Sequence, residues 1–222
     1  MEPSTTHFIV ESLTRAIVEH KLQPGTKLAE QKLADHFGVS RTLVRQALHQ
    51  LSQNRLIKLE PARGAFVAAP TASEARQVFA VRRMLEVEMA RVFAREATPA
   101  RIKALREHMA QEKAAVDAND ASGRRMELLG DFHVRIAELM GNEVLAQILR
   151  DLVSRSSLVT LMYQRAGAAR HSQQEHVELV RAFAAHDEDR AARLMDEHLL
   201  HVEASLAFDR PVPTHDVAAA LS

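Results

Sequence analysis

The chain has 222 residues, of which 46% are hydrophobic and 26% charged, with 29 Lys and Arg against 29 Asp and Glu. Its length suggests one or two domains, and its composition excludes an intrinsically disordered chain. The absence of cysteine excludes disulfide scaffolds, thiolate zinc sites and cysteine nucleophiles. No apolar run approaches the ~20 residues of a membrane span, and residues 1–10 do not resemble a signal peptide, so we expect a soluble, cytoplasmic protein.

Aromatic residues, glycine and proline are scarce, which predicts a mostly α fold. The overall neutrality hides a split, because residues 1–70 carry nine Lys and Arg against six Asp and Glu. A basic front segment followed by a mildly acidic remainder is compatible with a nucleic-acid module joined to a second domain. We therefore predict domains at 1–70 and 71–210, with a loose tail at 211–222.

The first segment reads as three short helices followed by a hairpin. Gly38 interrupts the pattern after the second helix, and Ser40 has the N-cap chemistry to open the third. The predicted helices cover about 8–20, 30–37 and 41–54, and the predicted strands 56–59 and 65–68 flank a turn at 60–64. This order is that of a winged helix-turn-helix with a small β-hairpin wing.

The third helix must enter a DNA major groove, so its first turn should carry cations and small polar groups. Arg41 and Arg45 are four residues apart on one helix face, where both can reach a phosphate or a guanine edge. An arginine pair alone is more often a solvated helix face. The surrounding turn, cap and hairpin favour DNA binding instead, with Ser40 and Thr42 beside the arginines and Arg63-Gly64 at the wing tip.

The blocks at 24–28, 38–42 and 63–67 resemble the DNA-binding domain of GntR-family bacterial transcription regulators. They read Pro-Gly-Thr-Lys-Leu, Gly-Val-Ser-Arg-Thr and Arg-Gly-Ala-Phe-Val. Three positions depart from the family pattern: Leu43 replaces proline, Gln46 glutamate and Arg55 glycine. The resemblance implies that Gln31, Ser40, Arg41, Thr42, Arg45, Arg63 and Gly64 lie at or near the DNA.

From residue 71 the pattern is helical, which predicts an antiparallel bundle of about six helices. The predicted helices are 74–95, 99–116, 124–140, 143–163, 172–185 and 188–208. Thr98-Pro99 is a good N-cap and N1 pair, and the spacing of Ser172 and Glu175 is that of a capping box. The predicted inward face of the first helix consists of Val78, Val81, Leu85 and Val92.

Three histidines stand near apolar faces of three different helices: His133, His176 and His198. They can converge inside a bundle, where imidazole suits Zn, Ni, Cu or Fe. A lone histidine in such a place is more often a hydrogen-bonded core residue, so the residues alone do not establish a site. His171 and His201 read as ordinary surface or loop histidines, although His201 can rim a cavity near His198.

This segment also resembles the effector domain of the FadR-type branch of the same family. The similarity rests on the blocks at 81–86, 132–133, 141–142, 175–176 and 195–199. In metal-binding members, one aspartate and three histidines hold a divalent cation below the effector, which implies a metal set of His133, His176 and His198. The aspartate position is Leu129 here, and Asp131 cannot substitute because two residues turn roughly 200° around a helix.

Two alternatives stay open for this site. The three histidines can hold zinc or nickel, with water and an effector carboxylate completing the shell. Without metal, partly protonated imidazoles can hold an anionic ligand directly. Arg82 can pair with the effector's carboxylate, or it can form an ordinary surface pair with Glu86 at i,i+4.

The sequence therefore predicts a ligand-responsive transcription regulator, a repressor, that binds an operator as a homodimer and responds to a small carboxylate metabolite. The effector residues are Arg82, His133, His176 and His198. The alternative is a His-liganded metalloenzyme fused to a DNA-binding domain. No His-Glu-x-x-His motif, Gly-x-Ser-x-Gly motif or phosphate-binding glycine loop supports an enzyme.

Overall fold

The computed structural model describes residues 5–18, 21–53, 55–118, 124–164 and 167–208. Asn54 and the expected tail at 211–222 lie outside these residues. The described residues divide into two compact units, one formed by those up to Pro70 and the other by Thr71–Phe208. Within the described ranges, no helix is long and apolar enough to cross a membrane.

The first unit is a winged helix-turn-helix, as predicted. Its antiparallel sheet consists of β1 (Lys27–Leu28), β2 (Ile57–Glu60) and β3 (Gly64–Val67) in the order β1-β3-β2, and Lys58 pairs with Phe66 across the hairpin. The strand β1 was not predicted, because two residues are too few to show an alternating pattern. The elements are α1 (Thr5–Val18), β1 (Lys27–Leu28), α2 (Glu30–Phe37), α3 (Arg41–Gln53), β2 (Ile57–Glu60) and β3 (Gly64–Val67).

Two of the residues with positive φ in this unit follow helices of the helix-turn-helix. Gly38 ends α2 with φ +63°, which sets the tight turn into α3. Arg55 has φ +59°, so an arginine adopts the conformation for which the related family uses glycine. The core beneath the turn is fully apolar and includes Ile9, Leu13, Ile17, Leu33, Val44, Leu48 and Leu51.

The second unit is a helical bundle, also as predicted. A capping box at Thr71 and Glu74 opens its first helix, and the Thr98-Pro99 pair opens the second. Phe79, Phe93, Phe132 and Phe183 are fully buried between the helices. The described helices are α4 (Ala72–Glu96), α5 (Pro99–Asp117), α6 (Arg124–Leu139), α7 (Glu143–Tyr163), α8 (Ala168–Ala184) and α9 (Glu188–Ala204).

Two expectations about these helices were wrong. Val81 is 41% exposed, because α4 turns Phe79, Arg82 and Glu86 inward instead of the predicted valine stripe. The helix α8 begins four residues early, after Gly167 at φ +89°, so the Ser172 and Glu175 spacing lies inside a helix and forms no cap. His171 is consequently a helical residue rather than part of a loop.

Candidate functional site

In the first unit, the start of α3 presents two guanidinium groups on one exposed face. The Ser40 hydroxyl accepts a long hydrogen bond of 3.4 Å from the Leu43 backbone N–H, which caps the helix. Glu30 holds both arginines: its carboxylate accepts from Arg41 at 3.1 Å and from Arg45 at 3.0 and 2.7 Å. The hydrogen bond from Arg45 lowers the pKa of Glu30 to about 2, even though burial opposes the shift.

The wing provides a third cation. Arg63 pairs with Glu60, and its guanidinium lies 5.3 Å from the centroid of the Phe66 ring. Gly64 has φ +101°, a conformation that a side chain rarely tolerates. On α2, Gln31 donates a 2.8 Å hydrogen bond to Asp35. All seven residues predicted to face DNA are exposed: Gln31, Ser40, Arg41, Thr42, Arg45, Arg63 and Gly64.

In the second unit, the three predicted histidines converge. His133 on α6, His176 on α8 and His198 on α9 are at most 3% exposed, and each offers a ring nitrogen within 4.8 Å of the others. The Nε2 atoms of His176 and His198 are 3.3 Å apart. Phe132 stacks on His176 at 4.0 Å between ring centroids, which fixes the plane of that imidazole.

A carboxylate lies behind each of these imidazoles, at Nδ1. His176 Nδ1 is 3.0 Å from Glu112 Oε2, and His198 Nδ1 is 2.7 Å from Glu175 Oε2. The corresponding distance from His133 to Glu86 Oε2 is 2.5 Å, although the approach lacks the alignment of a hydrogen bond. A carboxylate at Nδ1 fixes the tautomer and leaves Nε2 with its lone pair, an arrangement that typically supports metal-ligating histidines.

Burial and these partners set the charges of the cluster. Burial lowers the pKa of His133 to about 3 and that of His198 to about 4, although the carboxylates oppose the shift. Burial alone raises the pKa of each carboxyl group, but the surrounding cationic and imidazole groups outweigh it. The resulting pKa is about 2 for Glu86, Glu112 and Glu175. Neutral imidazoles at His133 and His198, backed by ionised Glu86 and Glu175, are the protonation states that metal binding requires.

Arg82 adds a buried guanidinium at the same cavity. Its Nε and Nη2 donate to the Glu86 carboxylate at 2.6 and 3.2 Å, and its Nη1 donates to Ser156 Oγ at 2.9 Å. The pairing with Glu86 that was one alternative for Arg82 therefore forms, but it is a buried pair rather than a surface pair, because Arg82 is 5% exposed. The inward rotation of α4 buries both charges together.

The cavity enclosed by these groups has a volume of about 40 Å³. Leu129 lines it one helical turn before His133, at the position where the related site carries aspartate. Asp131 is exposed, in agreement with the helical geometry. The remaining lining residues are Gly130, Ser156, Ser157, Thr160, Gln164, Ser172 and Val202.

The sequence did not reveal the residues that support the histidines. Glu86 and Glu112 are fully buried; Glu86 was named only as a surface partner of Arg82, and Glu112 was not named. Glu112 carried a detectable signal, because it shares a helix face with Met109 and Val116, three residues before it and four after it. The sequence indicated only a capping role for Glu175, and its contact with His198 was not predicted.

The two units match separate family models. Residues 5–67 match the model described as bacterial regulatory proteins, gntR family, and residues 77–201 match the FCD domain model. The chain belongs to the GntR family of regulators with an FCD domain. The members of this family are DNA-binding transcription regulators rather than enzymes, so the metalloenzyme alternative is not supported.

Individual GntR-family relatives align along nearly the whole chain. The transcriptional repressor RspR of Escherichia coli is 26% identical over 199 residues, covering 89% of this chain and 87% of its own length. The repressor NanR of Edwardsiella tarda is 27% identical over 225 residues, covering 90% and 84%. A solved putative GntR regulator from Rhodococcus superimposes with a TM-score of 0.66 at 25% identity, covering 91% of this chain and 97% of that chain.

Proposed function

We propose that this regulator is a repressor whose second unit binds a divalent cation, zinc or nickel, together with a small carboxylate effector. The observation that carries the proposal is the support of each convergent imidazole by a carboxylate at Nδ1. Three imidazole nitrogen donors suit zinc, nickel, copper or iron, and three protein ligands leave positions for water or another ligand. The residues of the cavity fit such a cation, although Leu129 supplies no ligand.

The surrounding charge also favours a cation. Three carboxyl groups around the histidines, those of Glu86, Glu112 and Glu175, have pKa values lowered to about 2, and Glu86 also accepts from the guanidinium of Arg82. Carboxylates that lie behind the imidazoles at Nδ1 favour a cation over an anion at the opposite ring nitrogens. This supports the metal-bound alternative over direct anion binding by the histidines.

The histidine cavity offers an effector carboxylate both space and a hydrogen-bond donor. The cavity volume corresponds to about three water-sized groups, enough for an ion with one carboxylate. Of the five N–H groups of Arg82, three are engaged by Glu86 and Ser156, and the others remain for a ligand. Arg82 and the three histidines are therefore the proposed effector residues.

The first unit supports operator recognition by α3 and the wing. A single head of about 60 residues makes few base contacts, so we propose that a homodimer binds a pseudo-palindromic operator in the cytoplasm. The effector can change operator affinity only by its differential affinity for the two arrangements of the DNA heads.

Substitution of Arg45 tests the DNA-binding part. In gel shifts on the DNA upstream of its own gene, Arg45→Ala should cost roughly 1–3 kcal/mol, or about 5- to 150-fold in affinity. Arg106→Ala is the matched control, because this exposed arginine lies on α5 in the second unit. Equal binding by wild type and R45A, or no preference of wild type for this DNA over random duplex, would contradict the assignment.

The metal and effector parts are tested on protein purified without a nickel column. We expect bound zinc or nickel in elemental analysis, with one ion per chain fewer in His133→Ala and in His198→Ala while circular dichroism keeps its helical signal. A thermal-shift screen of organic and sugar acids, with and without metal, then identifies an effector whose addition releases the operator in gel shifts. No bound metal after addition of zinc would rule out the metal.

A further inference from the structure

A second group of candidate metal ligands lies on the surface of α8 and α9, the helices that also carry His176 and His198. His171 and Glu175 are one turn apart on α8, and His201 lies on α9. Glu175 Oε1 is 3.0 Å from His171 Nε2 and 2.5 Å from His201 Nδ1. One ligand atom from each residue falls within 4.8 Å of the other two.

The surroundings of this group differ from those of an ordinary surface ion pair. Within the described ranges, the ion-pair partners of Glu175 are imidazoles, namely His171, His198 and His201, rather than Lys or Arg. A carboxylate surrounded by imidazoles suits a divalent cation, because imidazole and carboxylate are its common ligands. The neighbouring arginines are engaged elsewhere, since Arg181 and Arg190 both pair with Glu178.

The group is open to ions in solution. The side chains of His171 and His201 are 60% and 54% exposed, whereas Glu175 is 16% exposed. His171 and Glu175 also line an open surface groove, which provides an entry path. Two ligands one helical turn apart and a third on the adjacent helix leave the outer side for water.

We propose that His171, Glu175 and His201 form a second divalent-cation site, of the zinc, nickel or copper class, on the surface of the effector unit. Its carboxylate is shared with the inner cluster: Glu175 Oε1 faces the outer imidazoles, and Oε2 accepts from His198 Nδ1 at 2.7 Å. The outer site does not require metal at the inner one, because its three ligands are separate from His133, His176 and His198.

The test is the number of zinc ions bound by the metal-free full-length protein in equilibrium dialysis. His171→Ala with His201→Ala should bind one ion per chain fewer than wild type. The matched control is His7→Ala with His36→Ala, which removes two exposed imidazoles. His7 pairs with Glu11 at i,i+4, as His171 does with Glu175, but it belongs to no three-ligand group in the described ranges. The control should bind as many ions as wild type.

The outcomes separate the outer site from the inner one. Two ions in wild type and one in H171A/H201A support the proposal. One ion in wild type and none in H171A/H201A also support it, and would mean that the inner site holds no metal. Equal numbers in wild type and H171A/H201A overturn it, whether or not the inner histidines bind zinc. Copper(II) provides a second readout, because its electron paramagnetic resonance spectrum should lose one nitrogen-ligated component in H171A/H201A and none in H7A/H36A.

Discussion

Leu129 is the residue at which the histidine cavity departs most clearly from a carboxylate-bearing metal site. Its side chain is 8% exposed and lines the cavity beside His133. Residues four apart on a helix share a face, so a carboxylate at position 129 would point toward the same space as His133. The existing carboxylates lie behind the imidazoles and act through them.

We expect Leu129→Asp to tighten zinc binding. A direct interaction with a charged group is worth roughly 1.5–3 kcal/mol, which corresponds to about 10- to 150-fold in affinity. In the presence of a chelator the same variant should unfold at a lower temperature than wild type, because the new carboxylate is then buried without a cation. Competition with a zinc indicator measures the first effect and thermal unfolding the second.

The matched control is Leu128→Asp. Leu128 is also buried, at 9% exposure, but it is rotated by roughly 100° around α6 from Leu129. It should lose stability in chelator and gain no affinity for zinc. An L129D protein that binds zinc no more tightly than wild type would show that position 129 does not face a bound ion.

At the scale of single residues, sequence patterns identified the three candidate ligand histidines but not the carboxylates that lie behind them. His133, His176 and His198 were visible because each stands beside apolar residues of its own helix. Glu86 and Glu112 come from other helices, and their distances to the imidazoles arise only from packing. A sequence contains no such distances.

At the scale of elements, the packing of α6 against α7 depends on Gly130. A Cβ atom at this position would lie 2.8 Å from Val153 Cγ1 and 3.0 Å from Ser157 Oγ, both on α7. Gly130 and Ser157 also line the histidine cavity, so this close approach sets one of its walls.

Gly130→Ala should therefore destabilise the second unit by about 1–3 kcal/mol, because overpacking outweighs the gain of up to ~1 kcal/mol in helix propensity. Chemical denaturation monitored by circular dichroism measures the change. Ser154→Ala is the control, since it also places alanine in a helix but at an exposed position of α7. A G130A protein as stable as wild type would mean that the two helices separate at little cost.

Helix number and order were predictable, whereas two details of orientation were not. The buried face of α4 was predicted wrongly, because a pattern of apolar residues assigns charged residues such as Arg82 and Glu86 to the exposed face. Their mutual pairing is what permits the burial, and it depends on His133 and Ser156 from other helices. The start of α8 was misplaced because Gly167 can begin a helix as readily as it can interrupt one.

At the scale of the whole molecule, the two units can be followed separately by spectroscopy. The chain has no Trp and a single Tyr, Tyr163, which lies in α7 of the second unit. Its ring centroid is 4.5 Å from that of Phe208. Tyrosine fluorescence therefore reports the second unit, whereas circular dichroism reports the helices of both units.

Zinc should raise the unfolding temperature seen by Tyr163, because the proposed ligands all lie in the second unit. The H171A/H201A protein is used here so that the inner histidines alone are tested. A free ion at 100 times its dissociation constant contributes about 2.7 kcal/mol, which corresponds to about 5–10 °C for a unit of this size. Adding His198→Ala should abolish the shift.

Operator DNA should stabilise the first unit. Because α3 and the wing are the proposed operator contacts, operator duplex should stabilise the helices of residues 5–53 in circular dichroism. It should leave the Tyr163 transition nearly unchanged when effector is absent. Arg45→Ala should remove this stabilisation and retain the zinc shift. If DNA and zinc each raised the unfolding temperatures seen by Tyr163 fluorescence and by circular dichroism equally, the two units would unfold as one cooperative body. In that case linkage between operator and effector would be carried by stability as well as by the placement of the DNA heads.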